Sequence, residues 1–225
     1  MKIIIQCAGS KAANAGSLTG TMGKLIKFVA NPSKAPHSDK YLYAKPDDIS
    51  DNGKTWRERI WDYNHHEKTK NPNQILPAYQ LYTNPAYKKL VKEFGIEKIF
   101  ILSAGWGLIP ADFLTPMYDI TFSSASDGYT KRKKIDKYLD YNMLPNDGED
   151  IIFLGGKSYL PMFCSLTETY AGNKSIYFNS INPPAVPKDF KLVQYNTTTR
   201  TNWHYQCALS IIAANSKYND TVGQL

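Results

Sequence analysis

Three stretches of this chain end an apolar run in small residues and a hydroxyl: "KIIIQCAGSK" (Lys2 to Lys11), "KIFILSAGWG" (Lys98 to Gly107) and "DIIFLGGKS" (Asp150 to Ser158). Small residues let backbone amides approach a ligand closely, and a helix N-terminus after such a turn favours an anion. Any one ending is explained by a strand-to-helix turn. Together they mark one crevice if their strands are neighbours, because ligands of open α/β sheets gather beyond the carboxyl ends of the strands. Cys7 is either a nucleophile activated by a nearby base or a small buried residue. The phosphate-loop reading of "GGKS" fails, since the upstream glycine it requires falls on Ile151. Farther on, "RTNWHYQ" clusters Arg200, Asn202 and His204 at a helix start, where polar side chains meet an anionic ligand or simply cap the helix.

The elements that must position these residues follow from patterning. The three apolar runs are continuous rather than alternating, as a sheet covered on both faces requires. Ser175 to Ser180 and Phe190 to Asn196 are weaker strand candidates. Helices are expected over Asn84 to Gly95, with Asn84 as cap, Pro85 first and Gly95 just past the end, and over Lys157 to Gly172 and Thr201 to Ser216. A further helix is expected over Gly128 to Leu144, with Ile135, Tyr138 and Leu139 on one face and the basic run Lys131 to Lys134 in its first turns. The alternation predicts an α/β fold: a three-layer domain with a central mixed, mostly parallel sheet flanked by helices. The chain is read as one domain over residues 1–225 with an inserted helical and loop subdomain at about 31–80. That insertion is rich in Pro, Asp and Ser, then carries Trp56 and Trp61.

Composition narrows the partners. Sixteen tyrosines and four tryptophans among 225 residues supply polar-tipped aromatics suited to flat ligands, and a net charge of +7 favours nucleic acid. Three scattered cysteines signal neither a disulfide framework nor a zinc site, so a reducing, cytoplasmic setting is expected. The opening "MKIIIQCAG" is too short for a signal peptide, and no apolar run reaches membrane-spanning length. No metal-ligand spacing is apparent; the expected chemistry needs no metal or cofactor.

The blocks Leu81-Tyr82-Thr83, Ser103-Ala104, Trp106-Gly107-Leu108 and Pro116-Met117-Tyr118-Asp119 stand in an order and spacing, from about Gln74 to Phe122, that resembles the YaaA-like family. That family comprises the peroxide stress protein YaaA and shorter, often phage- or defence-associated relatives. The amino-terminal "IIIQCAGSK" also looks like the opening of the short relatives, whereas Trp106 stands where the family usually has tyrosine. The resemblance implies a compact α/β fold that binds DNA and a cleft for action on a nucleobase.

The leading expectation is therefore a DNA enzyme that extrudes a base and cleaves its N-glycosidic bond. In that reading Trp106 or Tyr82 stacks on the base, while Gln6, Ser10 and Ser103 read its edge beside Cys7, Tyr118 and His204. Asp119 stabilises an oxocarbenium-like sugar and, with Ser103, makes up the catalytic pair, while Lys11, Lys131, Arg132, Lys157, Arg200 and the basic run as far as Lys134 hold phosphates. Asp119 equally suits a structural cap on its turn, and the Lys131 to Lys134 run a solvated helix face. The alternatives are a DNA-binding protein without turnover and an enzyme on free nucleotides or nucleosides. The target base, the strandedness of the DNA and the oligomeric state stay open.

Overall fold

The computed structural model describes residues 1–123 and 126–222. In chain order the strands are β1 (Lys2–Gln6), β2 (Leu25–Val29), β3 (Tyr41–Ala44), β4 (Leu76–Pro77), β5 (Ile99–Ser103), β6 (Gly107–Pro110), β7 (Leu114–Thr115), β8 (Tyr118–Asp119), β9 (Tyr141–Asn142), β10 (Ile151–Leu154), β11 (Lys174–Phe178) and β12 (Phe190–Gln194). The α-helices are α1 (Trp56–His66), α2 (Ala78–Leu81), α3 (Pro85–Phe94), α4 (Leu160–Leu166) and α5 (Trp203–Val222).

The main sheet runs β12-β11-β10-β1-β5-β6-β9. From β12 to β5 every pairing is parallel; β6 turns back antiparallel on β5, and β9 runs parallel to β6. The expected mixed, mostly parallel sheet is thus observed. Successive side chains of a strand point to opposite faces. Ile4 is in register with both Phe100 and Phe153, and Phe153 stacks on Phe163 of α4 with ring centroids 4.4 Å apart. The alternate set, Ile3, Ile5 and Ile101, faces the other side, where α3 contacts β5, α5 contacts β10 and the two helices pack on each other. Both faces are therefore covered, which is why these strands carry no polar alternation.

Local signals account for most helix ends. The Asn84 side chain accepts from the Ala86 N–H at the start of α3, Pro85 occupies the first turn, and Gly95 ends it at φ +87°. Helix α1 begins with a reciprocal capping box between Thr55 and Glu58. Between residues 25 and 119, two smaller sheets, β3-β2-β8 and β4-β7, attach to the main one.

Two helix expectations need correction. Gly128 to Leu144 forms no helix and is irregular apart from β9, and Ile135 and Leu139, assigned to an apolar face, are 83% and 68% exposed. Tertiary anchors override the periodicity: the buried Arg132 guanidinium donates to Ala104 O and forks onto Asp140, and Leu139 N–H donates to Asp47. The helix expected over Lys157 to Gly172 is only α4 long, because the chain beyond it is drawn aside by Tyr170 Oη donating to Glu149 O and Ala171 N–H donating to Asn146. Among the described residues no helix is long and apolar enough to cross a membrane.

Candidate functional site

The chain leaves β1 toward β5 on one side and later passes to β10 on the other, so the strand order reverses between β1 and β10. A crevice is expected beyond the carboxyl ends at such a switch point. The two ends are joined there by one bond, Gly156 N–H donating to Gln6 Oε1 at 2.7 Å. Above it opens a cleft of ≈ 790 Å³. Gln6, Cys7 and Ser10 come from the end of β1, and Ser158 and Tyr159 from the end of β10. Phe122, shortly after β8, and Lys134, from the irregular segment, border it, as do Arg200, Asn202 and His204 from the start of α5.

Beneath the cleft, Cys7 Sγ lies 3.2 Å from Tyr159 Oη and 3.5 Å from the Ala104 N–H. Burial pushes the Tyr159 phenol well above its ordinary range, so it stays protonated as a donor. His204 is 2% exposed, and its Nε2 has no partner among the described residues. Burial pulls its pKa down to about 4, so the imidazole is neutral near pH 7. Asn202, just before α5, sits at φ +61°, a conformation asparagine tolerates better than most residues. The first turn of a helix leaves N–H groups without intrahelical partners, and its dipole favours negative charge. With Arg200 and Lys134 on the rim and no carboxylate among its described lining residues, the cleft suits an anion.

The buried imidazole makes stability depend on pH. Histidine titrates near 6.5 when unfolded and about 4 when folded here, so between those values the unfolded chain binds more protons. This contribution is intact above about pH 6.5 and falls with acidification, and the loss is complete near pH 4, at about 3 kcal/mol. Urea midpoints of wild type and His204→Gln across that range check this. The variant is expected to show a shallower acid loss; parallel profiles would contradict the assignment.

Of the residues singled out by sequence, the cleft gathers Gln6, Cys7, Ser10, Arg200 and His204. It does not gather the two assigned to catalysis. Ser103 is fully buried and serves its own turn, accepting from Gly105 and Trp106 N–H and donating to Tyr118 Oη at 2.9 Å. Asp119 projects from β8 beside Lys27, 3.7 Å away, outside the cleft lining. Trp106 is no stacking lid: it is fully buried, edge-on to Phe28 with centroids 5.0 Å apart. Tyr82 and Tyr118 are likewise core residues, joined hydroxyl to hydroxyl at 2.8 Å, and cannot stack on a ligand from there.

The expected phosphate-holding residues also divide. Arg132 is committed to Asp140, and Lys131 sits in a bridge to Thr121, so neither lines the cleft. Lys157 borders a separate cavity of ≈ 510 Å³. Lys11 lies 4.2 Å over the Tyr118 ring, its pKa lowered by burial, just behind the cleft wall. The cleft also takes Lys134 from the basic run and Ser158 from the "LGGKS" ending, both singled out by sequence. Sequence reasoning missed Phe122 and Tyr159. For Tyr159 a signal existed, since it directly follows that ending of a buried strand; for Phe122 none did. Among the described residues no group of three or more His, Cys, Asp or Glu is placed to hold a metal ion.

No curated protein and no solved structure matches the chain. A family model does match, over residues 66–180, more than half of the sequence. The matched span includes β10, Ser158 and Tyr159 but neither β1 nor the start of α5, so Cys7 and His204 lie outside the part it defines. On that match the chain belongs to DUF6884, a family of unknown function.

Proposed function

We propose that the protein binds a nucleotide in the switch-point cleft and acts on it there. One observation carries this reading: a single cleft joins the N-terminus of α5, Arg200 and the unpartnered, buried His204 to the ends of β1 and β10, with no carboxylate on its described walls. The phosphate belongs at the α5 end, where N–H groups and cations converge. Neutral His204 and the Cys7–Tyr159 pair are the groups available to exchange protons with the bound molecule.

Isothermal titration tests this with a nucleoside 5′-monophosphate, the matching nucleoside and inorganic phosphate. The monophosphate is expected to bind at least about tenfold more tightly than the nucleoside, and Arg200→Ala to remove most of that difference, as loss of a charge-assisted bond implies. Equal affinity for nucleoside and monophosphate, or no binding of either, would remove the proposal.

A second reading, action on a base extruded from DNA, draws on the YaaA-like blocks and on Lys133, Lys134 and Lys137, exposed along the segment bordering the cleft. In that case His204 is the proton-accepting group, and Asp119, outside the cleft lining, does not stabilise the sugar. Release of free base from DNA would favour it over the nucleotide reading.

A further inference from the structure

A second cavity of ≈ 520 Å³ adjoins the cleft and shares Phe122, Lys134 and Ser158 with it. Its remaining walls include Arg132 and Tyr138 on one side and Met162, Ser165 and Leu166 of the α4 side on the other. Two buried hydrogen-bonding atoms on these walls, Arg132 Nε and Tyr138 Oη, have no partner among the described residues. Folded proteins leave few such atoms unmatched, and those that remain call for a ligand, a water or a role.

The chemistry of the walls narrows the ligand. Arg132 spends its terminal nitrogens on Asp140, at 2.9 and 2.6 Å, and on Ala104 O at 2.8 Å, so its charge is largely answered within the protein. Asp136 and Asp140 border the cavity together with Lys134 and Lys137, so with Arg132 paired to Asp140 the wall charges nearly cancel and call for no second anion. The guanidinium lies 3.8 Å from the Tyr138 ring centroid, which keeps both groups aligned. Burial pushes the Tyr138 phenol up to about 12, so its hydroxyl remains a donor. Phe122, Met162 and Leu166 add apolar faces. These features fit a flat, uncharged heterocycle with acceptors on its edge.

We propose that this cavity seats the nucleobase of a nucleotide whose phosphate lies in the switch-point cleft, the ligand crossing between them at Phe122 and Ser158. The inference rests on the nucleotide reading and adds to it where the base goes. Tyr138 also borders a cavity of ≈ 390 Å³ beside Asp47 and Asp48, whereas Arg132 and Ser165 do not, so two variants are needed.

The experiment titrates wild type, Ser165→Trp, Tyr138→Phe and Arg200→Ala with the common nucleoside 5′-monophosphates, inorganic phosphate and a short single-stranded oligonucleotide. Ser165 is exposed, so tryptophan there fills the cavity without disturbing the core, and Tyr138→Phe keeps the ring over Arg132. Ser165→Trp is expected to weaken the monophosphate at least tenfold and Tyr138→Phe about three- to tenfold, as loss of one hydrogen bond implies, with inorganic phosphate unchanged in both. Unaltered monophosphate binding in both variants, alongside its loss in Arg200→Ala, would overturn the base seat while leaving the phosphate site standing. A wild type that binds neither phosphate nor any base-bearing probe would overturn both. Binding of the oligonucleotide alone, lost in Ser165→Trp, would keep the seat and assign it a base carried on a strand.

Discussion

Replacing Arg57 with methionine is expected to destabilise the fold by about 3–5 kcal/mol, the cost of breaking a buried ionic network from one side. Arg57 sits in the first turn of α1, 4% exposed. Its two terminal nitrogens donate to Trp106 O and Gly105 O, both at 3.0 Å, and its Nε to Asp47. Methionine fills much of the same volume but leaves the Gly105 carbonyl and the Asp47 carboxylate without this partner. Trp106 O keeps a bond from Tyr141 N–H at 2.9 Å, so the turn loosens rather than unravels. Thermal unfolding is expected to shift down by roughly 6–20 °C, given about 2–4 °C per kcal/mol for a chain of this size. Arg57→Lys, which keeps the charge but loses the fork, should fall in between. A methionine variant within 1 °C of wild type would show that this anchor contributes nothing net.

The second large effect is expected at Gly107. Its φ is +98°, and a Cβ there would meet Tyr141 O at 2.3 Å and Tyr141 N at 2.5 Å, backbone atoms that have no rotamer to yield. Gly107→Ala therefore combines an unfavourable conformation with a clash across the β6–β9 pairing, together about 2–5 kcal/mol. Hydrogen exchange locates the damage. The Tyr141 and Met143 amides, which donate to Trp106 O and Leu108 O, are expected to lose protection before those of β1 and β10. Gly128→Ala is the control, since nothing lies within 4 Å of its added methyl, and it should stay within about 0.5 kcal/mol of wild type. Equal stability of the two variants would refute the argument.

The contrast between what could and could not be read from the residues has a physical basis. The strands β1, β5 and β10 are legible because a strand buried on both faces must be continuously apolar, and α3 because its cap, proline and terminal glycine act locally. The pairing of β8 with β2 was not legible, since two residues, Tyr118 and Asp119, carry no periodicity and are held by long-range partners. The segment after Gly128 reads as an amphipathic helix, yet Arg132 is worth more in contact with Ala104 and Asp140 than in a solvated first turn. In the site, Gln6, Cys7, Ser10, Arg200 and His204 were found because strand ends and helix starts converge by topology. Trp106 and Tyr82 misled because an aromatic beside glycines or in a polar block reads the same whether it covers a crevice or fills a core. Burial is decided by elements far away in sequence, as Phe28 decides it for Trp106.

The central position of β1 also governs how the molecule comes to be. Its partners are Ile99–Leu102 on one side and Ile151–Leu154 on the other, so β1 is synthesised well before either strand it must pair with. Until then three consecutive isoleucines, Ile3 to Ile5, wait as an unpaired, uncharged β-forming edge. Lys2 heads that strand in the chain and ends buried against Asp147 and Glu149, so it meets its counter-charges only in the completed fold. During synthesis it is a solvated cation flanking the apolar run, the kind of gatekeeper that discourages premature self-association.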